Sequence, residues 1–379
     1  MFIKFVNFFF YTTFIFFPPI KSDLILYDYQ SKNIISKIFK IRNFTILFTR
    51  KEKINLFILL KTLLKFQFSY FDYIINYIKY CGGKILVTSI DNNYNFYKIK
   101  SRLNIITIFF QNGERLGRQD IFQVFEKKNK LKYYKSINAV DLMFVFNKMT
   151  ADLYQKLIFG ETFVTGSLLS NINKILKKSN RDLIYISLFR KNTNLQFRNN
   201  TIKLVKILNE YCIKNDLKFK ILGKFRNDRL NEEKNFYKKI LGQDLFFIYN
   251  SKKRNSYKII DEAKICISPG STLGIENLGR KNKTILINVK YKMKGYKEVF
   301  FGFFTKRKIQ GPFWYNGLNK KIIFKLIDKV LGYKENKWKE ILKDYEYETT
   351  LYDYKNFKLK RKLIKFFKSR KIEIKKYLR

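Results

Sequence analysis

A chain of 379 residues is too long for one ordinary core, and 46% hydrophobic content with four prolines fits two globular domains rather than a disordered or Pro-rich chain. Its 78 Lys and Arg against 30 Asp and Glu give a net charge of +48, which points to an anionic partner unless it reflects a compositional bias spread along the chain. The absence of histidine excludes His-based triads, HExxH zinc sites and a histidine general base; three distant cysteines, Cys81, Cys212 and Cys266, exclude a disulfide framework and suit a reducing compartment.

Residues 1–22 form an apolar N-terminal segment. Phe5 to Phe17 lies between Lys4 and Pro18-Pro19 and is shorter than the about 20 residues a spanning helix needs. It reads as an interfacial or buried segment, with a signal anchor as the alternative. The run Asp23–Asp28 predicts a first strand and Phe44–Phe48 a second. Ile54–Phe66 has helical length and spacing, and Gly82-Gly83 stops a further helix. Lys84–Thr88, Leu103–Phe110 and Val140–Phe146 then read as buried strands, with a helix from Thr150 and a closing strand at Phe163–Ser167. Short apolar strands separated by helices predict a parallel sheet covered on both faces, hence a Rossmann-like domain over residues 23–167.

The polar and basic stretch 168–180 is expected as a linker. The alternation restarts over 181–345, with strands at Asp182–Leu188, Phe219–Leu222, Leu245–Tyr249, Lys264–Ile267 and Thr284–Asn288. Helices are expected at Thr201–Asn215, Asn231–Gly242, Ser256–Ala263 and Leu273–Gly279; Asn231 is placed to cap the second, with Glu232 and Glu233 in its first turn. The fold class is α/β: two Rossmann-like domains facing each other across a cleft, with a C-terminal basic helical tail over 346–379. From Lys355 onward that tail carries twelve basic residues against one acid, Glu373. An amphipathic basic helix suits an anionic membrane surface; the alternative is a closing helix packed on the N-terminal domain.

The segment Ser268–Glu276 is where chemistry is most legible. A buried strand ends, Pro269-Gly270 turns, and Ser271 or Thr272 caps a helix. Backbone N–H groups at such a helix start attract phosphate, and Glu276, one turn in, can reach a ribose hydroxyl. Arg190 follows the strand Asp182–Leu188, and Lys224 and Arg226 follow Phe219–Leu222, at the carboxyl strand ends where ligands of open α/β sheets bind.

Ser268, Gly270, Ser271, Thr272 and Glu276 resemble the donor-binding signature of glycosyltransferases with the GT-B fold, although Arg280-Lys281-Asn282-Lys283 stands where a Gly-Lys-Pro is frequent. Thr88-Ser89-Ile90-Asp91-Asn92, Phe110-Gln111-Asn112-Gly113, Val145-Phe146-Asn147, Thr165-Gly166-Ser167 and Gly311-Pro312-Phe313-Trp314 resemble bacterial surface-carbohydrate and capsule biosynthesis proteins. The resemblance implies a nucleotide-sugar donor on the second domain, and a glycan or lipid-linked acceptor on the first near Asp28, Gln111 and Asn112. It implies work at the cytoplasmic face of an anionic membrane. With no histidine, Asp91 or Glu114 is expected to act as the base, and Asp28 is a third option. No paired-carboxylate loop follows a strand, so neither a metal nor a cofactor beyond the substrate is expected. The same fold also hosts polyol-phosphate transferases and nucleotide-sugar epimerases. A basic nucleic-acid-binding protein is the alternative of another class, though no helix-turn-helix, RNP motif or zinc finger accompanies the charge.

Overall fold

The alternating apolar runs close into two parallel sheets. A computed structural model describes residues 12–40, 44–50, 52–115, 137–176, 182–225, 229–242, 247–248, 255–293, 308–373 and 377–378. The chain divides into two compact units, one of residues 1–169 with 356–379, the other of residues 170–355.

The first unit holds β1 (Thr13–Ile15), β2 (Leu24–Tyr27), β3 (Phe44–Leu47), β4 (Lys53–Asn55), β5 (Ile85–Thr88), β6 (Ile106–Phe110), β7 (Ala139–Val145) and β8 (Phe159–Val164). Six of them form a parallel sheet in the order β3-β2-β5-β6-β7-β8, while β1 and β4 pair separately. Side chains alternate across that sheet as the pleat requires. Ile25, Tyr27, Leu86, Phe109 and Met143 enter one core layer; Leu24, Leu26, Val87, Ile108 and Phe144 enter the other. Helices α1 (Leu56–Leu63), α2 (Tyr70–Cys81) and α3 (Lys148–Leu157) cover the first layer through Ile58, Tyr73, Ile74, Ile78 and Tyr154. Ser69 caps α2 by accepting from the Asp72 N–H, and Gly82 ends it at φ 70°, as the Gly-Gly pair predicts.

The second unit holds β9 (Asp182–Ile186), β10 (Lys218–Leu222), β11 (Phe247–Ile248), β12 (Ile265–Ser268), β13 (Thr284–Ile287) and β14 (Trp314–Tyr315), ordered β11-β10-β9-β12-β13-β14 and all parallel. Its helices are α4 (Leu195–Lys214), α5 (Arg229–Leu241), α6 (Ser256–Glu262), α7 (Thr272–Gly279), α8 (Lys320–Gly332) and α9 (Glu335–Lys343). Two helix starts differ from expectation. Asn194 caps α4, accepting from the Gln196 N–H at 2.8 Å, so that helix begins before Thr201. Helix α5 begins at Arg229, which puts Asn231 inside it rather than at its cap. The three cysteines are buried and in no disulfide, with burial pushing the Cys81 and Cys212 thiols up to about 12.

Two boundaries also move. Residues 168–172 of the expected linker are helical. The last helix, α10 (Phe357–Ser369), belongs to the first unit rather than to a separate tail. Its Leu359, Leu363, Phe366 and Phe367 complete the second core layer, against Leu24, Leu26, Val87 and Phe110. The stripe of an amphipathic helix goes where the largest apolar area is available, and here that is the open face of the sheet. The expectation of a membrane-bound apolar face is therefore corrected. Most of the N-terminal run Phe5–Phe17 lies outside the described residues; among those described, no helix is long and apolar enough to cross a membrane.

Phe367 is fully buried, so Phe367→Ala should lower the stability of the first unit by about 3–5 kcal/mol in urea unfolding. Deletion of residues 357–379 should leave an insoluble or unfolded chain. A truncated protein with an unchanged urea midpoint would show that α10 is not part of the core.

Candidate functional site

The order of the second sheet reverses between β9 and β12. The chain leaves β9 through α4 toward β10, and leaves β12 through α7 toward β13. Loops that diverge at such a point leave a crevice at the carboxyl strand ends. On the β12 side the buried Ser268 closes the turn, its Oγ accepting from the N–H groups of Gly270 at 3.4 Å and Ser271 at 3.1 Å. Gly270 sits at φ 118°, which a side chain would strain. Ser271 caps α7 by accepting from the Leu273 N–H at 3.4 Å. Gly274 lies so close to the strand end that an added Cβ would collide with the Ser268 side chain. Gly270, Ser271 and Thr272 remain partly accessible above this packed base. Glu276 is buried one turn into α7, and its Oε2 accepts from the Tyr257 hydroxyl at 3.0 Å.

Cations converge from three other strand ends. Arg190 follows β9, Lys224 follows β10 and Lys290 follows β13. Lost hydration, and then the charge of Arg190, lower the pKa of both the Lys224 and Lys290 ammonium groups. Arg190 is thus within electrostatic reach of both lysines. Lys290 is the residue the sequence reading missed; its signal was its place just beyond the expected strand Thr284–Asn288. Arg226 lies outside the described residues. Arg190 also lines a cavity of about 320 Å³ with Phe189, Phe197 and Phe236.

Glu233, read from sequence only as a first-turn acid, organises these loops. It is fully buried in α5 and accepts from the N–H groups of Lys224, at 2.9 and 3.1 Å, and Phe225, at 3.0 Å. The Ser187 hydroxyl also bonds Glu233 and lies 2.7 Å from the Tyr237 hydroxyl. One carboxylate therefore sets the chain after both β9 and β10.

Arg280, at the departure from the expected Gly-Lys-Pro, is the hub beneath the turn. It pairs with Asp261 of α6 through Nε, at 2.8 Å, and Nη2. Its Nη1 donates to the carbonyls of Ser170 at 3.0 Å and Asn173 at 2.9 Å, and Nη2 to that of Lys174 at 3.2 Å. Its guanidinium also lies 5.5 Å from the centre of the Tyr257 ring, the same tyrosine that holds Glu276.

In the first unit the candidate carboxylates separate by environment. Asp91 is fully buried. Arg115 Nε donates to its Oδ2 at 2.9 Å, Arg115 Nη2 bonds Oδ1, and the Tyr154 hydroxyl donates to Oδ2 at 2.9 Å. Asp28 is equally buried and accepts from the Gln30 N–H at 2.9 Å, Thr49 Oγ1 at 2.7 Å and Arg50 Nε at 3.0 Å. Carboxylates held this way anchor loops, and neither is presented to an incoming hydroxyl, which corrects the expectation for both. Gln111 is likewise structural: its Nε2 donates to the Gly113 carbonyl at 2.8 Å and its Oε1 accepts from the Phe146 N–H at 2.8 Å. Asn112 is exposed and Glu114 is half-buried, both in the loop after β6.

Comparison with known proteins adds a family and a fold. The sequence model of the family described as "putative O-antigen biosynthesis protein" matches residues 108–368. No curated protein matches the chain. Among solved structures, the wall teichoic acid polymerase TagF is similar at 12% identity over 93% of this chain and 90% of that one, with a TM-score of 0.51. MnaA of S. aureus with UDP is similar at 11% identity over 92% and 97%, with a TM-score of 0.50. The UDP-GlcNAc 2-epimerase of Methanocaldococcus jannaschii with UDP-GlcNAc and UDP is similar at 14% identity over 92% and 100%, with a TM-score of 0.50. At such identity the likeness shows the fold, two Rossmann-like units of GT-B type.

Asp91→Ala removes a fully buried carboxylate that accepts from Arg115 and from the Tyr154 hydroxyl, so it should cost about 3–5 kcal/mol of stability in urea unfolding. An unchanged midpoint would return Asp91 to the list of candidate bases. Lys224 and Lys290 are destabilised in their charged forms, so that cost is full at neutral pH and is relieved as pH rises through their lowered pKa values. A bound phosphate dianion reverses the shift. Nucleoside diphosphate binding should therefore take up protons in the alkaline range just below the ordinary lysine value, and affinity should fall as pH rises through it. Calorimetry in two buffers of different ionisation heat measures the uptake; none at all would separate these lysines from the phosphate.

Proposed function

The chain belongs to the family described as "putative O-antigen biosynthesis protein", and from that premise we propose that it is a glycosyltransferase moving a sugar from a nucleotide-activated donor to a surface-glycan or lipid-linked acceptor. The observation that carries the reading is that an accessible helix start, Gly270–Thr272, and three cations, Arg190, Lys224 and Lys290, all follow carboxyl ends of strands in one parallel sheet. Two of the similar structures are complexes with UDP, one of them also with UDP-GlcNAc, which supports a nucleotide at this fold's crevice.

On this reading the donor diphosphate sits on the N–H groups that open α7. Arg190, Lys224 and Lys290 meet its charge, and Glu276 reaches the ribose with Tyr257 fixing its carboxylate. The bond between the sugar and the diphosphate breaks as the acceptor oxygen bonds to the sugar. The nucleoside diphosphate leaves with the bonding electrons, stabilised by fixed cations, so the reaction needs no metal. Glu114 takes the acceptor proton. A lipid-linked acceptor would bring the protein to the cytoplasmic face of an anionic membrane. A nucleotide-sugar epimerase would use the same donor contacts but needs no acceptor.

A thermal-shift screen of UDP-, GDP-, CMP- and dTDP-sugars tests the reading. One donor class should stabilise the wild type, and Arg190→Ala should weaken it by about 10- to 100-fold, the worth of a charged hydrogen bond to phosphate. If no nucleotide shifts the wild type, the proposal fails. If labelled donor changes its sugar with no acceptor present, the protein is an epimerase.

A further inference from the structure

Helix α1 is apolar on two faces. Its inner face sends Ile58 into the core of the first unit, where Thr62 is buried beside it. Its outer face carries Leu60, Leu63 and Leu64 at the i, i+3, i+4 spacing of one stripe, 59%, 41% and 78% exposed. The chain then turns, and Phe66 and Phe68 stand 85% and 77% exposed. A helix apolar all round is expected to be covered on both sides.

The display is rigid. Phe66 occupies the left-handed region at φ 56°, a conformation a bulky side chain avoids without support. The support is present: the Phe66 N–H donates to the Leu63 carbonyl at 2.8 Å and the Gln67 N–H to the Thr62 carbonyl at 3.2 Å. Asn76 of α2 then clamps the turn, its Nδ2 donating to Gln67 Oε1 at 2.7 Å and Thr62 Oγ1 at 3.1 Å. At the other end of α1, Asn55 Nδ2 donates to the Phe17 carbonyl at 2.7 Å, which brings the exposed Phe16 and Phe17 to the start of the same helix.

We infer that the Leu60–Phe68 corner of α1 is a membrane-docking surface that inserts into the interface of an anionic phospholipid bilayer, an inference that rests on the reading of the protein as working at a membrane. Charge decides the occupant. Lys61 and Lys65 are exposed among the apolar side chains, and the Lys61 ammonium lies 4.5 Å from the centre of the Phe57 ring and 5.2 Å from that of Tyr80. Anionic headgroups satisfy those lysines while leucine and phenylalanine enter the acyl boundary. A second copy of a chain with net charge +48 would bring like charge to the same place. Helix α10 is basic as well, but its apolar stripe is buried in the core, so it can add attraction without insertion.

Co-sedimentation with vesicles of phosphatidylglycerol and phosphatidylcholine tests this, using the full chain. Wild type should bind, and the triple variant Leu64→Ser, Phe66→Ser, Phe68→Ser should bind about tenfold more weakly or worse, with unchanged Tm and nucleotide binding. Lys61→Glu with Lys65→Glu should lose binding to these vesicles but not change the weak binding to phosphatidylcholine alone. Triple-variant binding equal to wild type would overturn the surface and leave the membrane reading standing. Wild type failing to bind any vesicle would overturn both. A wild-type dimer that the triple variant converts to monomer, with vesicle binding unaltered, would make a second copy the occupant and overturn the inference.

Discussion

Arg280 and Asp261 form an ion pair with no solvent exposure on either side chain. Taking two charges out of water is costly, and the arrangement persists because the donors and acceptors around it are satisfied: Asn282 Nδ2 also donates to Asp261 at 2.8 Å, and three carbonyls of the 170–174 segment accept from the guanidinium. The pair thereby joins the chain entering the second unit, helix α6 and the end of α7. The Tyr352 ring, 5.0 Å from the guanidinium, and the Tyr352 hydroxyl, donating to the Asn173 carbonyl at 2.9 Å, add the segment that leaves it. The helix start at Ser271 can be accessible and still fixed because its far end is held this firmly.

The same chemistry recurs in the first unit with a different result. Asp91 and Arg115 are also buried and paired, and Tyr97 and Tyr154 close the pair, Tyr97 by donating to the Asp91 carbonyl. Burial there uses up the carboxylate. In the second unit the buried acid Glu233 accepts from backbone N–H groups, and the charge of Arg190 still lowers the pKa of both Lys224 and Lys290. Like charges held together in a fold cost stability, and a bound anion recovers that cost. The contrast separates structural ionisable groups from those available to a ligand more sharply than residue type does.

A net charge of +48 suggests at first that basic residues are interchangeable here. The apolar surface says otherwise. Helix α10 and helix α1 both carry apolar stripes beside lysines, yet the first gives its stripe to the sheet and the second, among the described residues, keeps one exposed. Position in the fold, not composition, decides which helix has surface to offer.

The sequence alone determined the α/β class and the two parallel sheets, because buried parallel strands must be short continuous apolar runs and such runs are local. It also determined the Ser268–Ser271 turn, since strand end, Gly270 and cap lie within a few residues of one another. The tertiary structure decided what depends on distant partners. Whether Asp91 is a base or an anchor rests on Arg115 and Tyr154, far away in sequence. Lys290 joins Arg190 only because β13 and β9 both flank β12. The C-terminal helix has a sequence equally suited to a membrane or a core; the open face of a sheet whose first strand begins at Leu24 made the choice. Side-chain type and spacing are written in the chain, but burial and charge neighbours arise only when remote segments meet.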